Sequence, residues 1–293
     1  MTKDKKRDYL IKTLSRTKRK DYENYIVNAI YHKLGRLDIK PVTQQYVKRS
    51  DGKYALIDLY FPQINYGIEC DEAYHIDNEE RDLKRELTME QMLDSVEETQ
   101  GFILRRVKAY ESIDSIEQQI NFIVSEINDL LNEREITKWD IDMDPAEYAI
   151  SKGEICIGDR LQFEKIIDIC KCFNKKYKGI QRCYFNIGHG YYIWCPKLAV
   201  DIEGKAISVS NGWVNTLTDD WSRIYEENEL KELEFIESNR EIKRITFAKS
   251  KDVLGRNTYR FIGIFKFNEI STTKTCNVYD RIDDKIDLKM WFE

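Results

Sequence analysis

Three short strand patterns follow one another closely near residue 60, and they constrain the fold of this chain more than any other feature. They are Gln45–Arg49, Tyr54–Phe61 and Tyr66–Asp71. Asp51-Gly52, between the first two patterns, is a strong signal for a two-residue hairpin turn, and the second gap is similarly short. Because strands joined by such short turns pair antiparallel, the sequence predicts a three-stranded meander.

Helical patterns surround this meander. The predicted helices are Lys3–Lys20, Asp21–Leu34, Glu79–Glu98 and Ile113–Leu131, with a buried strand predicted at Phe102–Val107. One side of the last helix carries regularly spaced apolar residues, namely Ile116, Ile120, Ile123, Ile127 and Leu130. Up to about residue 132 the element order is therefore ααβββαβα, which predicts an α/β domain with a mixed sheet flanked by helices.

The second half of the chain has a different texture. Apart from one predicted helix at about Arg160–Phe173, short strand patterns dominate. They are Cys183–Ile187, Tyr191–Trp194, Ala206–Val209, Ile245–Ala248 and Tyr259–Phe267. A polar, acidic stretch separates the two halves. We therefore predict a first domain at residues 1–134, a linker at 135–148 and a β-rich second domain at 149–293.

The formal net charge of −5 on 293 residues argues, on its own, against a nucleic-acid partner. The charge is unevenly distributed, because residues 1–50 hold 14 basic and 5 acidic residues, whereas residues 51–100 hold 4 basic and 14 acidic residues. The basic first 20 residues are candidates for contacts with phosphates. A solvated helix face is the alternative interpretation of that segment.

The sequence also limits where the protein acts. No stretch approaches the ~20 apolar residues that span a bilayer, and the first 20 residues lack the apolar core of a secretory signal. The seven cysteines are odd in number and lack the spacing of a disulfide framework. We expect reduced thiols, no membrane partner and a cytoplasmic location.

The candidates for chemistry lie in the meander. Asp58 is inside the second predicted strand, while Glu69 and Asp71 are two positions apart in the third and share one face. Converging carboxylates form a hard-oxygen site suited to Mg²⁺, which can activate water for phosphodiester hydrolysis. His75, at the start of the next helix, could move a proton. The alternative is that these acids lie at strand ends and pair with Lys or Arg.

An aromatic and polar cluster marks the second domain. It consists of Trp213, Asn215, Asp219, Asp220, Trp221 and Tyr225. Aromatic rings can stack on a flipped base, and a carboxylate can accept a hydrogen bond from the exocyclic amine of cytosine. The alternative is that the aromatic side chains fill a β-rich core and the two acids lie in a turn.

Both halves resemble known families. Asp58-x10-Glu69-Cys70-Asp71 with a following helix resembles the PD-(D/E)XK nuclease core, and His75 just beyond it resembles the very-short-patch repair endonuclease branch. The run 257–267 resembles the closing strand of SET and RING associated (SRA) domains, which are curved, PUA-like β domains that bind flipped modified cytosines. Together the halves resemble the PvuRts-type modification-dependent restriction endonucleases, which cleave DNA containing 5-hydroxymethylcytosine or its glucosylated form.

The resemblance implies roles for the acids of the first domain. Asp58, Glu69 and Asp71 would be the catalytic residues that bind Mg²⁺, with His75 as an active-site assistant. The chain departs from the family motif at Asp71, where lysine is usual. The role of that lysine would fall to His75 or to a helix residue such as Lys84.

For the second domain the resemblance implies a pocket for the modified base. Its candidate residues are Trp213, Asn215, Asp220, Trp221, Tyr225 and Glu226. Trp213 and Trp221 would stack on the base, and Asn215 would meet the 5-substituent. Asp220 or Glu226 would accept from the amine.

The implied function is a Mg²⁺-dependent endodeoxyribonuclease in the bacterial cytoplasm, acting against phage DNA. It would flip a hydroxymethylated or glucosylated cytosine out of double-stranded DNA and cut the same duplex at a distance. Cutting both strands predicts a homodimer with two-fold symmetry. Two alternatives remain open: a non-catalytic reader of modified DNA with a degenerate nuclease fold, and a nuclease that acts on RNA or damaged DNA.

Overall fold

The computed structural model describes residues 5–15, 21–48, 54–71, 96–97, 101–136, 138–139, 143–180, 182–200, 212–228, 232–233, 240–251 and 257–293. Contacts divide the chain into two compact units, with the main boundary between residues 142 and 143. Within the described ranges, none of the helices is long and apolar enough to cross a membrane.

In its described residues, the first unit contains a mixed sheet and three helices. In chain order its elements are α1 (Lys5–Leu14), α2 (Asp21–Leu34), β1 (Val42–Lys48), β2 (Tyr54–Phe61), β3 (Tyr66–Asp71), β4 (Val96–Glu97), β5 (Ile103–Lys108) and α3 (Ile113–Glu133). The strand order is β4-β1-β2-β3-β5. Strands β1, β2 and β3 form the predicted antiparallel meander, whereas β4 and β5 pair in parallel with β1 and β3.

Apolar faces of α2 and α3 cover one face of this sheet. The apolar residues predicted on α3 are buried, except that Leu131 rather than Leu130 completes the stripe. They pack with Ile26 and Ile30 of α2 and with Ile68 of β3 in one core. Ser112 caps α3, because its side chain accepts a hydrogen bond from the Ser115 backbone N–H. The core therefore fixes the sheet that carries the predicted acids.

Three predictions for the first unit need correction. The first helix is shorter than predicted and ends at Leu14. Most of the predicted helix Glu79–Glu98 lies outside the described residues, but its end is wrong, because Val96–Glu97 is a strand that pairs with β1. The strand near Phe102 is not buried along its length, since Val107 alone is buried among its residues.

The second unit is rich in strands. Its elements are α4 (Pro145–Lys152), β6 (Glu154–Cys156), β7 (Gln162–Phe163), α5 (Ile166–Cys172), β8 (Tyr184–Gly188), β9 (Tyr191–Trp194), β10 (Ala199–Val200), β11 (Trp213–Leu217), β12 (Arg223–Asn228), β13 (Lys243–Lys251), β14 (Asn257–Phe267), β15 (Cys276–Asp283) and β16 (Lys285–Asp287). The large sheet has the order β10-β11-β12-β15-β14-β13-β9-β8, and β7 pairs with β14. Strands β6 and β16 form a separate pair.

One face of the large sheet packs against α4 and α5. Its core includes Phe163, Cys170, Phe247 and Phe261, all of them buried. Among the described residues no three Cys side chains lie together as a metal site, and burial raises the pKa of the Cys172 thiol to about 12. This half of the chain thus has a core of its own.

Helix α4 was not predicted, and it occupies the end of the proposed linker. Its signals are present in the sequence: Asp144 caps the helix, Pro145 is at its first position, and Gly153 ends it in the left-handed region with φ +81°. The helix predicted at about Arg160–Phe173 is shorter, because Gln162–Phe163 forms a strand with β14. The predicted strand Ala206–Val209 lies outside the described residues.

Candidate functional site

The acids of the meander are positioned by strand pairing. Leu59 of β2 pairs with Ile68 of β3, so that Asp58 and Glu69 are the next residues outward on these two strands. The parallel pairing of β3 with β5 sets Glu69 beside Arg106 and Asp71 beside Lys108. The end of the meander therefore carries both acidic and basic side chains.

Asp58 is held in a defined position. Its side chain is buried, with 8% of the residue exposed. One carboxylate oxygen accepts a hydrogen bond from the Cys70 backbone N–H at 2.7 Å, and the other accepts from the Gln44 side chain at 3.2 Å. Hydrogen bonds of this kind favour the ionised carboxylate, as a metal ligand requires.

A further acid, Glu23 of α2, belongs to this site and was missed in the sequence analysis. It is 1% exposed, and the Gln44 amide that reaches Asp58 also donates to Glu23 at 2.6 Å. Gln44 has a left-handed backbone with φ +55°. The signal for Glu23 is its place on the buried stripe of α2, three and seven positions before Ile26 and Ile30.

The other two acids contact a cation. Glu69 forms an ion pair with Arg106 at 2.9 Å, and Asp71 lies 3.8 Å from the same guanidinium. The pairing of these acids with a basic residue, which was the alternative interpretation of the motif, is thus present. Asp71 nevertheless stays accessible, because 39% of its side chain is exposed, as is 54% of the Arg106 side chain.

The donors are of the type that Mg²⁺ prefers. In the described part of the chain, no three His, Cys, Asp or Glu side chains lie close enough to hold a metal by themselves. Mg²⁺ commonly takes only one or two carboxylates and completes its shell with water and substrate phosphate. Asp58, Glu69 and Asp71 are the residues that would supply those carboxylates. His75 and Lys84 lie outside the described residues.

In the second unit, pairing across three strands aligns a polar row. Asn215 of β11 pairs with Glu226 of β12, and Glu226 pairs with Asn277 of β15. Directly paired residues point to the same face of a sheet. Trp213 lies two positions from Asn215 and therefore shares this face.

Glu226 holds this row together. Its carboxylate accepts hydrogen bonds from the Asn277 amide at 3.1 Å and from the Tyr279 hydroxyl at 2.8 Å. Burial, followed by the negative charge of Glu226, raises the pKa of Tyr279. Asn215 differs from its neighbours, because its buried side-chain oxygen has no hydrogen-bond partner among the described residues.

A buried arginine that the sequence analysis missed lies next to this row. Arg244 is 3% exposed, and its guanidinium faces the ring of Tyr279 at 4.5 Å and that of Tyr184 at 5.6 Å. Tyr184 in turn stacks on Tyr192, with ring centroids 5.0 Å apart. We call Glu226, Asn277, Tyr279, Arg244 and Tyr184 the Glu226 cluster.

The cluster joins residues from distant strands of the large sheet. Tyr184 is on β8 and Glu226 is on β12, far apart in the strand order. Burial raises the pKa of Tyr184, and Arg244 and Glu226 also act on it electrostatically, in opposite directions. The Tyr184 hydroxyl is buried, and a hydrogen bond from Arg244 acts on it. On this face the Asn215 side-chain oxygen has no partner among the described residues.

The other predicted pocket residues lie elsewhere. Tyr225 alternates with Glu226 along β12 and points to the opposite face, where it interacts with Arg223. Asp220 and Trp221 lie in the turn between β11 and β12, and the Arg260 guanidinium lies 5.6 Å from the Trp221 ring. The structure therefore brings Trp213, Asn215 and Glu226 to one face, but not Tyr225.

Asp220 has a role within its turn. Its carboxylate accepts from the Ser222 backbone N–H at 3.0 Å and from the Thr218 hydroxyl at 2.7 Å. The Ser222 N–H, followed by the Thr218 hydroxyl, lowers the pKa of Asp220 to about 2. This arrangement matches the alternative interpretation, in which the acid pair lies in a turn.

We expect Asp220→Ala to lower the melting temperature of the second unit slightly. Because the folded pKa lies below the unfolded value of ~3.9, the ionised carboxylate stabilises the fold above about pH 4. That contribution disappears as the pH falls toward 2. Solvent screening of this exposed side chain keeps it to about 1 kcal/mol or less. Thermal unfolding of the variant and of the wild-type protein at pH 7 and pH 3 measures the difference. If the variant instead binds modified DNA more than about tenfold more weakly than the wild-type protein, or ~1.4 kcal/mol, Asp220 belongs to the base pocket.

Comparison with known proteins agrees with both halves. Residues 7–150 match the family model of the restriction endonuclease PvuRts1 I-like N-terminal domain, and residues 148–288 match that of the SET and RING associated domain. The solved structure of the 5-hydroxymethylcytosine-specific restriction enzyme AbaSI is 28% identical, with a TM-score of 0.70 over 96% of this chain and 97% of that chain. No curated protein matches. The predicted fold class, a mixed α/β unit followed by a β-rich SRA unit, is confirmed.

Proposed function

The chain belongs to the PvuRts-type modification-dependent restriction endonucleases, and from this premise we propose that it reads 5-hydroxymethylcytosine or its glucosylated form. In this proposal the second unit flips the modified base out of double-stranded DNA. The first unit then hydrolyses phosphodiester bonds of the same duplex at a distance, with Mg²⁺ as cofactor. The similarity to AbaSI, a 5-hydroxymethylcytosine-specific enzyme, supports the choice of base.

The observation that carries the choice of base is the buried oxygen of Asn215. A buried acceptor without a partner costs about 1–3 kcal/mol. The hydroxyl of a 5-hydroxymethyl group could donate to this oxygen, whereas the C5 hydrogen of an unmodified cytosine could not. Glu226, the neighbouring residue across the strands, would accept from the exocyclic amine of cytosine.

Aromatic and cationic groups around this row suit the rest of a flipped nucleotide. Trp213 shares the face of Asn215 and is our candidate for stacking on the base. Arg244 carries a positive charge next to Glu226, and the Tyr184 hydroxyl could bond a polar group of the ligand. Of the two acids considered for the amine, Glu226 is favoured over Asp220, because Glu226 pairs with Asn215 and shares its face, whereas Asp220 lies in the turn between β11 and β12.

In the first unit, Asp58, Glu69 and Asp71 are our candidates for the residues that hold Mg²⁺. The bound ion would polarise the scissile phosphate and lower the pKa of a bound water. Hydrogen bonds from the Cys70 N–H and the Gln44 amide hold Asp58 in place. Glu23 accepts from the same Gln44 amide and adds a second carboxylate beside Asp58. His75 remains a proposed assistant in proton transfer.

We propose that two copies act together, because each nuclease unit cuts one strand at a time and a two-fold dimer presents two such units to a duplex. The biological role would be defence in the bacterial cytoplasm against phage DNA with modified cytosines. The basic residues of α1 are candidates for phosphate contacts, since they precede the acid-bearing strands in the same unit.

A digestion panel tests the proposed function. The full chain is incubated with three substrates of the same sequence: hydroxymethylated duplex, unmodified duplex and RNA. Each is tested with Mg²⁺ and with a chelator. We expect cleavage of the hydroxymethylated duplex only, and only with Mg²⁺. Binding of that duplex without cleavage would support a non-catalytic reader, and cleavage of RNA would show that the substrate is wrong.

A further inference from the structure

We propose that Arg106 binds a phosphate of the DNA strand that is cut and supplies the positive charge that the motif lacks at Asp71. This inference rests on the proposed nuclease function and adds a residue to it. The sequence pattern suggests His75 or Lys84 for that role, and no spacing in the sequence points to Arg106.

The position of Arg106 carries the inference. It lies on β5, whose parallel pairing with β3 sets it directly beside Glu69. Its guanidinium contacts Glu69 at 2.9 Å and lies 3.8 Å from Asp71. Two of the three proposed metal-binding carboxylates thus converge on one cation. A phosphate whose hydrolysis depends on these carboxylates must approach within a few ångströms of the same guanidinium.

Arg106 is accessible at the surface of its unit. More than half of the Arg106 side chain is exposed. Its planar guanidinium can donate to a carboxylate and to a phosphate oxygen at the same time. The ammonium group of a lysine does this less well.

The neighbouring basic residues are engaged in other contacts. Arg105 points to the opposite face of the sheet, where two of its nitrogens donate to Glu126 at 2.9 Å and 2.5 Å, and the third donates to the Leu104 carbonyl. Lys108 lies 3.6 Å from Glu111. Arg106 is therefore the basic residue of β5 whose contacts are with the proposed catalytic acids.

The test compares Arg106→Gln with Arg106→Lys in the full chain. We measure the single-turnover cleavage rate of hydroxymethylated duplex with Mg²⁺. In parallel, the affinity for the same duplex is measured at several salt concentrations with Ca²⁺ in place of Mg²⁺. Arg36→Gln is the matched control, because Arg36 lies in the same unit and pairs with Asp38 at 2.8 Å, away from the acids. Thermal unfolding verifies that each variant folds.

We expect Arg106→Gln to lower the cleavage rate roughly 10²-fold, as loss of one preorganised group at a reacting centre does. The slope of log affinity against log salt should fall by about 0.9, the value for one phosphate contact. Arg106→Lys should recover much of both, and Arg36→Gln should change neither.

Two results would overturn the proposal. If Arg106→Gln cuts at the wild-type rate and needs less Mg²⁺, then Arg106 only balances the charge of Glu69 and Asp71. If the rate falls while the salt slope stays unchanged, the residue acts without touching phosphate. Failure of the wild-type protein to cut any modified duplex is a different result, because it contradicts the nuclease function itself.

Discussion

Asp58→Asn should abolish cleavage while leaving the reading of the modified base intact. The asparagine keeps an oxygen for the Cys70 N–H, which Asp58 engages at 2.7 Å, but it loses the charge that a metal ligand needs. Metal stabilisation of the transition state amounts to several kcal/mol. With each ~1.4 kcal/mol equal to a factor of ten, we expect the single-turnover rate to fall at least about 10³-fold.

Asp38→Asn is the control for this loss. Asp38 is also a paired carboxylate of the first unit, with a pKa lowered to about 2, chiefly by its hydrogen bond from Arg36. Its replacement should leave cleavage within a few-fold of wild type. The affinity of Asp58→Asn for hydroxymethylated duplex, measured without turnover, should match that of the wild-type protein. Cleavage within tenfold of wild type in Asp58→Asn would remove this residue from the metal site.

Asn215→Ala should weaken the binding of hydroxymethylated duplex without weakening the fold. The variant loses the acceptor proposed for the hydroxyl of the 5-hydroxymethyl group, so that about 2 kcal/mol of preference, or roughly 30-fold in affinity, should disappear. The affinity for unmodified duplex should stay nearly constant. Because the Asn215 oxygen has no partner among the described residues, its removal also relieves a cost of burial. We therefore expect an unchanged or slightly higher free energy of unfolding.

The opposite signs of these two effects make the Asn215 prediction specific. The control for loss of an amide is Asn28→Ala. Asn28 lies on the exposed part of α2 in the other unit, where its amide donates to the Asn24 carbonyl, and its replacement should not change the affinity for either duplex. A fall in both affinities together would assign Asn215 to general DNA binding. A loss of stability with unchanged selectivity would make it a structural residue.

The meander and its acids could be predicted because the information is local. Short turns fix the pairing of β2 with β3, and the bounds Tyr54–Phe61 and Tyr66–Asp71 agree with the structure. Glu23 could have been found as well, since an acid on the buried stripe of a helix is unusual.

The basic residues of both sites could not be predicted in the same way. Arg106 reaches Glu69 only through the parallel pairing of strands that lie more than 30 residues apart. Arg244 of β13 reaches the ring of Tyr279 on β15 across the strand that lies between them. Neither relation leaves a spacing in the sequence. Strand pairing between distant segments decides which charged side chains come into contact, and local propensities do not determine that pairing.

The pocket of the second unit could be predicted only in part from the sequence. Strands β11 and β12 alternate apolar residues with polar ones such as Asn215 and Glu226. In the sequence this stretch is a cluster of aromatic and polar residues, and the bounds of its two strands are not evident. The strand assignment separates its members, because alternate residues point to opposite faces. Trp213 and Asn215 therefore stay together, and Tyr225 leaves the group.

The central claim is that a modified base read by the second unit directs cleavage by the first. The most direct measurement uses a duplex with a single hydroxymethylcytosine at a known position and its unmodified twin, each labelled on both strands. We predict Mg²⁺-dependent cuts at one fixed distance from the modified base, and an intact twin. Equal cutting of the twin, or cuts unrelated to the position of the modified base, would contradict the claim.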